Sequence, residues 1–191
     1  MTESNVKLRM MIVTALFAAI IGVLAQVTIP LPLVPITGQT LAIGLAATIL
    51  GARYGTMSIL VYLGIGAVGI PVFAQMSGGL GSLFGPTGGY LFGFIPTAFI
   101  IGCYLEKTSF TVMNAIIANI LGMFVALIFG TVWLKIFAEL TWAGAFVGGF
   151  LPFLLVGVIK AVLAAWIGIS VRNRLKSANL LYVKDKKSFV S

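Results

Sequence analysis

Histidine is missing from this chain, cysteine occurs once, and only four residues are acidic. Without histidine there is no Ser–His dyad of the kind an intramembrane protease needs. The lone Cys103 excludes an internal disulfide and any cysteine-based metal cluster. The acidic residues, Glu3, Glu106, Glu139 and Asp185, fall in tails or at the ends of apolar runs. That placement argues against ion-coupled transport through an intramembrane carboxylate relay. No lysine follows a glycine, so the Gly-x-x-x-x-Gly-Lys phosphate loop is absent and ATP hydrolysis by this chain is not expected. Charged residues as a whole make up only 8% of the sequence. A soluble domain carries about 25%, so this composition cannot build a water-facing surface.

What fills the chain is apolar: 60% of residues are hydrophobic and the mean hydropathy is +1.16. Lipid must therefore do much of the solvating. A spanning helix needs about 20 apolar residues, so 191 residues leave room for six or seven spans and no extramembrane domain. The first apolar run is too long for a cleavable signal peptide and is followed by no small-x-small site. Runs read as helices at 8–27, 38–52, 54–70, 87–105, 109–137 and 144–171, with a basic tail over 172–191. The expected fold is an all-α polytopic membrane protein, a bundle of six transmembrane helices forming a single membrane domain. The second and third runs are separated only by Gly51-Ala52-Arg53-Tyr54-Gly55. A hairpin of two spans is preferred over one long element there, because an arginine at the bilayer centre costs about 2.5–3.5 kcal/mol.

The net charge of +8 does not indicate nucleic acid, because of where the charges fall. Lys7, Arg9, Arg53, Lys107, Arg172, Arg174, Lys176, Lys184, Lys186 and Lys187 all lie on one side of a six-span arrangement, leaving Lys135 and Lys160. The positive-inside rule makes that side the cytoplasm and puts both termini there. The segments 28–37, 71–86 and 138–143 are then the outer loops. Pro30, Pro32 and Pro35 deny the first a helix. The second is glycine-rich yet otherwise apolar, which suits a lid over the bundle better than a solvated linker.

Lys160 is the sharpest single signal. It lies about eleven residues from the inner end of its span, which at about 1.5 Å per residue puts it roughly 17 Å deep. An ionisable residue near the midplane is a functional hypothesis by default, the alternatives being a neutral buried lysine or one that snorkels. With no carboxylate inside any span, the group that answers it would be an anionic ligand. Asn119 lies at a similar depth, and Gln39 opens the second span under the proline-rich loop. Gln26, Thr87, Tyr90 and Asn114 complete the uncharged polar set, and each alone serves equally as interhelical glue. Gly81, Gly85, Gly89 and Gly93 recur every four residues, and Ala15 and Ala19 make a small-x-x-x-small face on the first helix. Close packing within the chain is one reading of these; docking onto another membrane protein is the alternative for the alanines.

Three runs resemble a known family: Pro32-Leu-Val-Pro35-Ile-Thr37-Gly-Gln39-Thr-Leu, Tyr62-Leu-Gly-Ile-Gly66-Ala-Val-Gly69-Ile-Pro71-Val-Phe73-Ala, and Gly85-Pro86-Thr87-Gly88-Gly89-Tyr90-Leu-Phe-Gly93-Phe. Together with Leu-Pro-Phe153 ahead of Ile-Lys160-Ala, they resemble BioY, the biotin-binding S component of energy-coupling factor transporters. In that pattern an aspartate often stands three residues before the lysine, where this chain has Gly157. The resemblance implies a cell-membrane protein that captures biotin from outside and is not an enzyme. It implies no cofactor or metal, and energy from a separate transmembrane coupling subunit with two cytoplasmic ATPases. It further implies Lys160 for the biotin carboxylate, Asn119 or Gln39 for the ureido ring and Phe73 or Tyr90 for the sulfur ring. Thr37, Gly79 and Thr87 complete the candidate substrate contacts, and Ala15 and Ala19 are the candidate docking face. Binding of a different anionic vitamin is the runner-up, and a membrane-embedded acyl or prenyl transferase the reading from another class.

Overall fold

The computed structural model describes residues 3–178 and 180–181. Lys184, Asp185, Lys186 and Lys187 of the basic tail lie outside the described residues. The described residues are mostly helical: α1 (Glu3–Ala25), α2 (Gln39–Ala67), a four-residue α3 (Leu80–Leu83), α4 (Gly88–Lys107), α5 (Val112–Phe137), α6 (Trp142–Gly149) and α7 (Leu151–Ser177). Among the described residues five stretches are long and apolar enough to cross a membrane, with α6 and α7 counted as one.

A sixth helix of the bundle is hidden in α2. Gly51 breaks the helix with φ 81° and ψ −173°, and the chain doubles back there. The Gln39 side chain donates to the Tyr62 hydroxyl at 2.5 Å, whereas a straight helix would separate residues so spaced by about 34 Å. Gly55 likewise abuts Ala47, with the Cα of Ala47 2.8 Å from where a Cβ on Gly55 would sit. Limbs 39–50 and 52–67 are therefore antiparallel, joined by a single residue rather than the five-residue connection expected.

Such a tight reversal exposes two helix ends, and two remote side chains satisfy them. Glu106, at the end of α4, accepts from the Ala52 N–H at 2.8 Å and caps the second limb. Arg172 donates to the carbonyl of Ile49 at the end of the first limb. Its guanidinium also lies 3.5 Å from the centroid of the Phe110 ring. Arg53, at the tip, stays exposed.

The limbs of α2 occupy the centre, with α1, α4 and α7 packed on them and α5 packed on α4 and α7. Small residues permit the close approach that membrane helices need: Ala42, Ala46, Ala47, Ala98, Ala115, Ala118 and Ala165 are buried. In α4, Gly89 and Gly93 face Trp133 and Phe129 of α5, where a methyl group would clash. Ala15 and Ala19, by contrast, lie exposed on the outer face of α1.

At the other end of the bundle the connections are structured. Residues 28–37 form a strap in which Thr28–Ile29 pairs antiparallel with Ile36–Thr37, a short strand pair not expected from the prolines. Residues 68–87 carry a 3₁₀ turn at Ala74–Met76 and then α3. The run expected over 144–171 is interrupted at Phe150 (φ −119°, ψ −57°), which separates α6 from α7.

Candidate substrate-binding site

A cavity of about 420 Å³ lies beneath the strap and the 68–87 loop, walled by α2, α4, α5 and α7. That is within the range of about 300–1,000 Å³ typical of small-molecule sites. Its walls are largely apolar, among them Ile43, Leu91, Phe94, Met123, Leu127 and Phe153. Of the expected contacts, Thr37, Gln39, Phe73, Thr87, Tyr90, Asn119 and Lys160 all line it. Among the described residues Lys160 is the single charged one in the lining, and no carboxylate accompanies it.

The Lys160 side chain reaches from α7 to the start of α2. Its Nζ donates to the Thr37 carbonyl at 2.6 Å and to Thr40 Oγ1 at 3.4 Å. A lysine ammonium has three donors, so one is left for an acceptor in the cavity. Nearby, the Thr37 hydroxyl donates to Gln39 Oε1 at 2.8 Å, and the Gln39 amide is further engaged by Tyr62. Gln39 thus shapes the upper rim with its polar atoms largely spoken for.

Asn119 lies deeper. Its Nδ2 donates to Thr48 Oγ1 at 2.9 Å and to the Ala115 carbonyl at 2.8 Å. Both amide hydrogens are thereby used, leaving Oδ1 as an acceptor. This oxygen lies over Gly44, 2.3 Å from where a Cβ would be, so only glycine admits it. Gly44 is one turn below Thr40, a depth difference of about 6 Å.

The lid is pinned from two sides. Phe73 is 1% exposed, and its ring occupies the space a side chain on Gly66 would fill. It meets Tyr62 edge-on with ring centroids 5.5 Å apart. Gln26, at the end of α1, donates to the Phe73 carbonyl at 3.0 Å and accepts from the Met76 N–H at 2.9 Å.

Gly79 is the expected contact that the structure places elsewhere. It is absent from the cavity lining. Its φ of 82° lets the loop turn into α3, and its N–H donates to the Gly66 carbonyl at 2.7 Å. A side chain there would point into open space, so its role is the turn. Tyr90 turns its ring to the cavity, while its hydroxyl donates to the Gly149 carbonyl where α6 breaks from α7. Thr87 stands at the start of α4 without a side-chain capping bond.

Several lining residues were not singled out from sequence: Thr40, Gln75, Ser77, Ser82, Thr97 and Met123. Met123 follows Asn119 by one turn on the same helix face, and that spacing was the available signal. Its sulfur lies 2.4 Å from where a Cβ on Gly157 would sit. The methionine therefore fills the space that a larger residue at 157 would take. Among the described residues no cluster of His, Cys, Asp and Glu is arranged to hold a metal.

Comparison with known proteins gives a consistent result. The family model described as the BioY family matches residues 1–177. The biotin transporter BioY2 of Lactococcus lactis subsp. cremoris is 43% identical over 175 residues, covering 92% of this chain and 96% of that protein. The biotin transporter BioY of Thermotoga maritima is 40% identical over 166 residues, covering 86% of this chain and 96% of its own length. A crystal structure of the S-component for biotin from an ECF-type ABC transporter superposes with a TM-score of 0.82 at 30% identity. It covers 91% of this chain and 95% of that one. Matched along nearly its whole length by family model, sequence and fold, this chain belongs to the BioY family.

Proposed function

We propose that this chain is the membrane subunit that captures biotin for uptake by an energy-coupling factor transporter, and that the cavity under the lid is where biotin sits. One observation carries the assignment of the site: among the described residues the cavity is lined by a single lysine, no carboxylate and, deeper in, the Asn119 amide. Biotin brings a carboxylate for the free donor of Lys160 and ureido N–H groups for Asn119 Oδ1. Its sulfur ring and valeryl chain suit the apolar walls of Leu91, Phe94, Met123 and Phe153. Thr37, Gln39 and Thr87 then border the entrance, and Phe73 and Tyr90 face the ligand with their rings.

In this reading the multi-pass chain lies in the cell membrane with both termini in the cytoplasm, so that the lid opens outward. Lys7, Arg9, Arg53, Lys107, Arg174 and Lys176 at the opposite end support that orientation. A transmembrane coupling subunit and two ATPases supply the energy. The exposed Ala15/Ala19 face of α1 is the surface offered to the coupling subunit.

Isothermal titration of the purified chain tests the central claim. Biotin should bind, and Lys160→Met should weaken it by at least about thirtyfold, as loss of one partner of a partly buried charge pair does. Biotin amide should be affected far less by the same change. Equal losses for the acid and the amide would remove Lys160 from the carboxylate, and folded protein that binds no biotin would overturn the reading altogether.

A further inference from the structure

The direction in which the Asn119 amide points is held in part by a residue that never reaches the cavity. Thr48 is 0% exposed, sits on the first limb of α2, and is absent from the cavity lining. Its hydroxyl oxygen accepts one of the two Asn119 Nδ2 hydrogens at 2.9 Å, while the Ala115 carbonyl takes the other. The threonine is itself immobilised. Its methyl group lies 2.8 Å from where a Cβ on Gly168 would sit, so α7 carries glycine at the point where Thr48 presses against it. Gly44 then leaves the space for Oδ1. Four residues on three helices thus hold a primary amide one way round, with its donors turned into protein and its acceptor left over.

We propose that Thr48 is a positioning residue that sets the specificity of the site. By accepting from Asn119 Nδ2 it keeps Oδ1 presented to the ligand, so that the deep end of the cavity selects a ligand bringing an N–H donor. This rests on reading the cavity as the biotin site, where the donor is a ureido N–H. An asparagine amide has donors and an acceptor of similar size on one carbon. Without the hydroxyl of Thr48 one Nδ2 hydrogen loses its partner and the Ala115 carbonyl holds the amide alone, so the amide is free to swing and Oδ1 no longer stands fixed toward the ligand.

The test compares biotin with its two ureido N-methyl isomers, titrated against the intact chain and the variants Thr48→Val, Thr48→Ala and Thr48→Ser. Valine keeps the shape and removes the acceptor; alanine removes it without filling the space, should valine fail to fold. Both should weaken biotin by about tenfold, the scale of one hydrogen bond at a buried site. Affinity for the N-methyl isomer lacking the donor that faces Asn119 should hardly change, so the preference for biotin over that isomer falls by the same factor. Serine, which keeps the oxygen, should restore the preference. An equal loss for biotin and both isomers, or no loss, overturns the proposal and makes Thr48 a packing residue only. Failure of the unaltered chain to bind biotin overturns both the biotin reading and this proposal.

Discussion

The one-residue reversal at Gly51 invites a quantitative challenge through the substitution Gly51→Ala. At φ 81° and ψ −173° the backbone occupies a region that is essentially glycine's alone, and forcing an L-residue into it costs about 1–3 kcal/mol. The added methyl group would also lie 2.4 Å from Glu106 Oε1, the atom that caps Ala52. Displacing that cap costs about a further 1 kcal/mol. The expected loss is therefore about 2–4 kcal/mol, equivalent to a fall in Tm of about 4–16 °C for a domain of this size. Thermal unfolding in detergent, followed by tryptophan fluorescence or aggregation on gel filtration, provides the readout. Gly64→Ala is the control, since Gly64 lies in regular helix with nothing within 4 Å of the new methyl; it should be neutral or mildly stabilising. The cap component can be isolated with Glu106→Gln. Combined with Gly51→Ala, it should lower Tm by less than the two separate effects together, because both act on one contact. If Gly51→Ala proves as stable as Gly64→Ala, the reversal at Gly51 and the roles given to Glu106 and Arg172 are refuted together.

Other outcomes follow from the same geometry. Arg172→Met should lower Tm in detergent, since it leaves the Ile49 carbonyl uncapped, and Arg172→Lys should restore little because lysine lacks the planar group that lies over Phe110. Gly66→Leu should expel Phe73 from its seat and speed biotin release in a washout assay; an unchanged release rate would show that the lid does not retain ligand. Gln26→Leu, which removes both anchors of the lid to α1, should do the same more mildly. Tryptophan at Ala15 and Ala19 should leave biotin binding intact while abolishing co-purification with the coupling subunit, and loss of both would relocate the docking face.

What the sequence discloses and what it conceals divide along the range of the interactions involved. The apolar runs are visible because lipid exposure demands uninterrupted apolar stretches, and Lys160 stands out because a cation within such a stretch is so rarely tolerated. The hairpin could be argued from the cost of burying Arg53. Its single-residue turn could not, since it depends on Glu106 and Arg172, which contact it from 54 and 123 residues away. Gly79 reads as a ligand contact in a glycine-rich loop, and its turn into α3 shows only in its φ and the open space beside it. The break at Phe150 was invisible for another reason. Pro152 sits in the first turn of α7, where proline is compatible with helix, so the pattern reads as continuous. The partnership of Asn119 with Thr48 spans 71 residues and two helices, and no local periodicity announces it.

The shortness of the 39–50 limb has a consequence of its own. Twelve residues rise about 18 Å, whereas the hydrocarbon core is about 30 Å thick. This limb stops roughly two turns short of the level its neighbours reach. Gln39, Thr40 and Ile43 at its truncated end all line the cavity. A helix about 10 Å across foreshortened by about 12 Å vacates roughly 900 Å³, about twice the cavity of about 420 Å³. The bundle need not unwind a helix or splay its walls to admit a guest. It is built with a piece of one pillar left out, and the guest takes the place of the missing turns.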